Sequence, residues 1–66
     1  LLLQPGETVS HELAEGRGLW VQAIHGDLRL NETNLLPGDG ASAEIAGSYQ
    51  LTAANVPVEA LLFDLA

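Results

Sequence analysis

Short apolar runs, separated at close intervals by Gly, Pro, Asn and Asp, are the feature of this sequence that most constrains its fold. The runs are too short for helices of ordinary length, and turn-forming residues interrupt them every few positions. This pattern is typical of many short strands joined by tight turns. The sequence therefore predicts an all-β domain, a small β-sandwich or barrel of short antiparallel strands.

The first clear strand is predicted over residues 8–13. Alternation places Val9, His11 and Leu13 on one face, which we expect to point inward because it is the more apolar face. A glycine-flanked turn around Arg17 follows. Arg17 could clamp a ligand carboxylate, but an ion pair with one of the nine acids is the more economical interpretation.

The run over residues 19–25 is rich in residues that favour a pleated sheet. Core packing is the default for a lone Trp, but alternation allows Trp20 to face away from the barrel, toward an interface, where Trp is over-represented. A tight hairpin is predicted at 25–27, with Gly26 at positive φ. The strand that follows should bury Leu28 and Leu30.

In the second half, a polar loop is predicted over 31–34, and its Asn-Glu-Thr triplet matches a glycosylation acceptor that is common by chance. Asp39, in the next turn, is expected to bond the local backbone rather than a cation, because calcium takes six or more oxygens. Further strands are predicted over 41–45 and 49–53. The closing run 59–65 could form a short helix, but its apolar character favours a strand covered on both faces. With the short apolar pair at 35–36, seven short strands or strand fragments fit the chain.

Composition excludes several classes of function. The chain has 66 residues, no Cys, no Lys and a net charge of -7. Without Cys there is no disulfide framework and no thiolate metal site. Nucleic acid and anionic membrane surfaces are bound mainly through Lys and Arg, so we expect neither as a partner. No apolar stretch approaches the roughly 20 residues that span a bilayer, and we expect a soluble, cytoplasmic protein.

Four motifs occur in an informative order along nearly the whole chain. They are Gly-Arg-Gly-Leu-Trp-Val-Gln at 16–22, Ile-x-Gly-x-Leu-x-Leu-Asn at 24–31, Gly-Asp-Gly-Ala at 38–41 and Ala-Leu-Leu-Phe-Asp-Leu at 60–65. Together they resemble the C-terminal cupin of pirin-like bicupins. The resemblance implies a single cupin-like domain over 1–66, expected to be a C-terminal fragment of a longer two-cupin chain.

The same resemblance implies quercetin 2,3-dioxygenase-type oxidation at a metal in the N-terminal cupin. Metal-binding cupins take ligands from a His-x-His pair with a following Glu, and from a His after a Pro-x-Gly turn. Here His11 is followed by Glu12 and Leu13, Leu19 stands at the expected Glu position, and residues 41–43 contain no imidazole. We therefore expect no catalytic, cofactor-binding or metal site in this domain.

Three functions remain open at this point. The first is a non-catalytic, metal-free module that packs on the N-terminal cupin of the same parent chain or on a second copy, and that self-associates in isolation. The alternative is a small-molecule site at the barrel mouth, although few convergent polar groups support it. The third, an enzyme in its own right, would need a constellation near His11 or His25, and no Cys, Lys or paired imidazole supplies one.

Overall fold

The computed structural model describes all 66 residues, which form eight strands and no helix. None of its elements is therefore a helix long and apolar enough to cross a membrane. The strands are β1 (Leu2–Leu3), β2 (Thr8–Leu13), β3 (Gly18–His25), β4 (Leu28–Leu30), β5 (Thr33–Leu35), β6 (Gly40–Ala43), β7 (Gly47–Ala53) and β8 (Val58–Leu65).

The strands form two four-stranded antiparallel sheets that pack face to face. The first sheet has the order β1-β8-β3-β6, and the second has the order β2-β7-β4-β5. The two inner faces enclose one core of 12 buried residues, all of them apolar. The predicted all-β sandwich of short antiparallel strands is confirmed. The core consists of Leu3, Leu13, Leu19, Val21, Ala23, Leu28, Leu30, Leu35, Leu51, Ala53, Val58 and Ala60.

Period-two alternation explains which residues enter this core. Along β3, Leu19 and Val21 are buried while Trp20 between them remains 41% exposed. Core packing, the default expectation for this Trp, is therefore wrong, and the outward position that alternation allows is the one observed. The closing run forms strand β8 rather than a helix, and Val58 and Ala60 pack inward. The local pattern therefore determines which way each strand faces.

The predicted hairpin at residues 25–27 is wrong in its pairing, although Gly26 does have a φ of 76°. Strand β3 pairs with β6 and β8 in the first sheet, whereas β4 pairs with β5 and β7 in the second. Gly26 therefore carries the chain from one sheet to the other. A Cβ at this position would lie 2.2 Å from the backbone oxygen of Pro57, so the close approach of another segment also requires glycine.

Three smaller differences concern strand boundaries. The loop predicted over 31–34 is only a two-residue turn, in which Asn31 adopts a φ of 52°, and β5 already begins at residue 33. Strand β6 ends before Glu44, and Ile45 lies in a bend with 79% of its surface exposed. The two-residue strand β1 brings the count to eight instead of seven, because Leu2–Leu3 is too short to show a period.

Candidate functional site

The outer face of the first sheet presents a contiguous set of exposed apolar side chains. Strand β8 turns alternate residues outward, and the register places Phe63 opposite Trp20 on β3. Each side chain of the set is between 41% and 73% exposed. Soluble monomers rarely leave contiguous apolar patches larger than a few hundred Å² uncovered. We call this set the apolar outer face: Leu2, Trp20, Leu61, Phe63 and Leu65.

Local packing spreads the apolar outer face onto the edge strand β6. A Cβ at Gly40 would lie 2.5 Å from Cζ2 of Trp20, so the indole can lie against this glycine only because it has no side chain. Beside it, Nε2 of Gln22 donates to the carbonyl oxygens of Gly38 and Asp39 at 3.1 and 3.2 Å. The indole of Trp20 therefore packs against Gly40, while 41% of the residue's surface remains exposed.

A charged cluster joins the two sheets at one edge of the sandwich. Nε2 of His11, on β2, lies 2.7 Å from Oδ2 of Asp64, on β8. Arg17 donates from Nε to Oδ1 of Asp64 and from Nη2 to the Asp64 carbonyl oxygen, the latter at 2.8 Å. The hydrogen bond from Arg17, followed by that from His11, lowers the pKa of Asp64 below 3.8. The ion pair predicted for Arg17 is confirmed.

The donor set around this cluster does not fit a transition-metal site. Asp64 is the only carboxylate on His11, and the cation of Arg17 already occupies its other oxygen. His25 lies elsewhere, 77% exposed and 4.0 Å from the carboxylate of Glu59. The structure brings no three His, Cys, Asp or Glu side chains together in a group that could hold a metal ion.

A single open cavity of about 520 Å³ lies at the end of the first sheet. Trp20 and Leu65 of the apolar outer face form part of its wall, and Ser42, Glu44 and Arg17 supply its polar groups. Asp64 accepts hydrogen bonds from Nε and Nη2 of Arg17, whereas Nη1 has no hydrogen-bond partner. The cavity therefore continues the apolar outer face and carries a polar wall formed by Arg17, Ser42 and Glu44.

Sequence reasoning located some of these residues and missed one. The side chain of Asp39 accepts a hydrogen bond from the backbone N–H of Leu36 at 3.0 Å, so its predicted role in the turn is confirmed. Asp64 was not singled out. The available signal is that Asp64 is the one acid among the otherwise apolar inward positions of β8.

The fold and these features define a class of protein. Two antiparallel four-stranded sheets around an aliphatic core form a small cupin β-sandwich. The family model of the quercetinase C-terminal cupin domain matches residues 1–65. The chain belongs to this family and is a C-terminal cupin domain of a pirin-like protein. No curated protein and no solved structure matches it.

Proposed function

We propose that this domain is a non-catalytic docking cupin, which packs through its apolar outer face on the cupin domain that precedes it in a quercetin 2,3-dioxygenase-type parent. The observation that carries the proposal is the apolar outer face itself. The family description supports the choice of partner, because a C-terminal domain has another domain before it in the same polypeptide.

The residues of the apolar outer face are arranged as in a stable protein interface. Trp20 and Phe63 form a cross-strand aromatic pair at its centre, and aromatic residues are enriched at protein interfaces. The polar side chains of Gln22 and Glu59 lie beside this centre on neighbouring outward positions. An apolar centre with polar neighbours is the usual anatomy of a protein interface.

Docking is tested by calorimetric unfolding of the parent polypeptide. A packed interface couples the two domains, so we expect the parent to unfold in one transition. Phe63→Ser should separate the transition of this domain from that of its neighbour. The matched control is Ile45→Ser, which also removes an exposed apolar side chain but lies outside the apolar outer face. Separate transitions in the unmodified parent, or an equal effect of both variants, would contradict the proposal.

Any metal-dependent oxidation is proposed to belong to the preceding domain. The expected result is that the 66-residue chain keeps no stoichiometric metal after growth with added iron, nickel and zinc, followed by dialysis, as measured by mass spectrometry. In the parent, metal content should be unchanged by the double substitution His11→Ala, His25→Ala. Near-stoichiometric metal in the isolated chain that disappears in the double variant would contradict this assignment and support an enzyme.

A second candidate function is ligand binding in the cavity at the end of the first sheet. It is favoured by a volume within the range of small-molecule sites, about 300–1,000 Å³. Alkylation of a cysteine introduced by Ser42→Cys distinguishes the two functions, because Ser42 is exposed and lines the cavity. Docking predicts slow alkylation in the parent and fast alkylation in the isolated chain at dilution, where self-association does not cover the cavity. An open ligand site would leave the cysteine equally reactive in both.

A further inference from the structure

One strand edge in the first sheet has no partner over most of its length. Strand β8 has eight residues, and β3 pairs along one side of it almost from end to end. On the other side, β1 pairs only Leu2 with Glu59 and Leu3 with Val58. Beyond these pairs, the side of β8 turned away from β3 is unpaired over residues 61–65. We call this side the free edge.

Hydrogen bonds at the start of the chain determine which groups point to the free edge. The terminal ammonium of Leu1 donates to the Ala60 carbonyl at 2.9 Å, and the Ala60 N–H donates to the Leu1 carbonyl at 2.9 Å. Leu1 and Ala60 are thus a hydrogen-bonded pair of an antiparallel ladder, in which such pairs alternate. The N–H and C=O of Leu62 and Asp64 therefore point the same way as those of Ala60.

The two outward-pointing residues differ in how their backbone groups are satisfied. Nη2 of Arg17 donates to the carbonyl of Asp64 at 2.8 Å and so covers the far end of the free edge. No backbone bond outside the sheet ladders reaches Leu62, and no side chain bonds to its backbone. Exposed edges of this kind pair readily with another strand. The free edge is therefore a short strand-addition site centred on Leu62.

We infer that the free edge of β8 is paired by the polypeptide segment that leads into Leu1, which extends β1 as a longer strand antiparallel to β8. The inference rests on the proposed function, in which another domain precedes this one. The register of β1 on β8 supports it. Strand β1 already runs antiparallel along β8, and the ammonium of Leu1 occupies the place of a peptide N–H. The second residue before Leu1 would then exchange both hydrogen bonds with Leu62.

The expected consequence is a specific change in amide hydrogen exchange. In the 66-residue chain, the amides of Leu61 and Phe63 point toward β3 and should be protected, while that of Leu62 should exchange fast. In the parent polypeptide, the Leu62 amide should slow by at least about tenfold. Equal exchange of the Leu62 amide in the isolated chain and in the parent would overturn the inference.

Two proline variants of the parent give a matched comparison. A proline at the second residue before Leu1 removes an N–H that the register directs to the Leu62 carbonyl, and should speed exchange of the Leu62 amide by about tenfold. A proline at the first residue before Leu1 removes an N–H that points away and should leave that exchange slow. Equal effects of the two prolines would overturn the inference. Failure of docking is seen separately, in the calorimetric effect of Phe63→Ser.

Discussion

The outer faces of the two sheets differ sharply, although each belongs to a four-stranded antiparallel sheet of the same sandwich. The second sheet turns only polar side chains outward from its paired strands, and Thr8 and Thr52 join hydroxyl groups across β2 and β7 at 2.9 Å. The first sheet exposes its apolar outer face instead. The polar set of the second sheet is Thr8, Ser10, Glu12, Arg29, Asn34, Ser48, Gln50 and Thr52.

The fold alone does not require an apolar outer face. An antiparallel sheet can keep one side on the core and the other in water, as the second sheet does. Both sheets contribute to the same core, so the demands of burial are met on their inner faces. The outward apolar residues of β8 and β3 are therefore not explained by burial within this sandwich, and they are the residues that the docking proposal assigns to an interface.

Gly26 joins the two sheets, and its substitution is expected to have the largest effect on stability. Gly26→Val should destabilise the domain by about 4 kcal/mol, because valine is strained at the positive φ of this position and its Cβ would clash with the backbone of Pro57. The matched control is Gly6→Val, because Gly6 has a φ of 81° but no atom within 4 Å of an added Cβ. Urea unfolding measures both variants. Equal losses in the two would show that contact with Pro57 contributes nothing.

The next largest effect concerns self-association, which only the outer face of the first sheet is expected to support. The isolated chain is expected to self-associate through its apolar outer face, and Phe63→Ser should weaken this association by about 10- to 100-fold, the value of one buried large apolar side chain. The control is Gln50→Ser, because Gln50 lies on the polar outer side of the second sheet, and this substitution should leave association unchanged. Sedimentation velocity over a range of concentrations measures both variants. A monomer at all concentrations would contradict the expectation.

A smaller effect concerns the charged cluster that ties the two sheets together. The pKa of Asp64 is lower in the folded state than in the unfolded state. Ionised Asp64 therefore stabilises the fold fully at pH values above its unfolded-state pKa, and this stabilisation is lost as the pH falls through its folded-state pKa. Asp64→Asn should therefore lower the urea midpoint at pH 7, and the difference should shrink progressively below about pH 4. The exposed Asp27, which forms no ion pair, supplies the control Asp27→Asn. A loss at Asp64 that is the same at all pH values would contradict the account.

Sequence predicted the faces of the strands well because alternation is a local property. The apolar residues on both faces of the closing run predict strand β8 and its outward side chains. For Trp20, alternation allows the outer side, but it does not override the default expectation of core packing. Strand pairing was harder to predict. The residues on either side of Gly26 are typical of a hairpin, and only contact with distant strands directs them to different sheets.

Long-range contacts likewise limited what could be predicted about the charged cluster. His11 and Arg17 were both singled out, and an acidic partner was expected for Arg17. The identity of Asp64 could not be derived, because it lies 53 positions from His11 and 47 from Arg17 along the chain. His11 and Asp64 lie on strands of different sheets, so their contact depends on how the whole sandwich is assembled.

Hydroxyl-radical footprinting tests most directly whether the apolar outer face is covered in the parent. Oxidation of Trp20 and Phe63 is measured by mass spectrometry in the dilute 66-residue chain and in the parent polypeptide, with exposed Ile45 as internal reference. We expect oxidation of Trp20 and Phe63 to fall severalfold in the parent, because the partner domain covers them, while oxidation of Ile45 is unchanged. Equal oxidation of Trp20 and Phe63 in both proteins would contradict it.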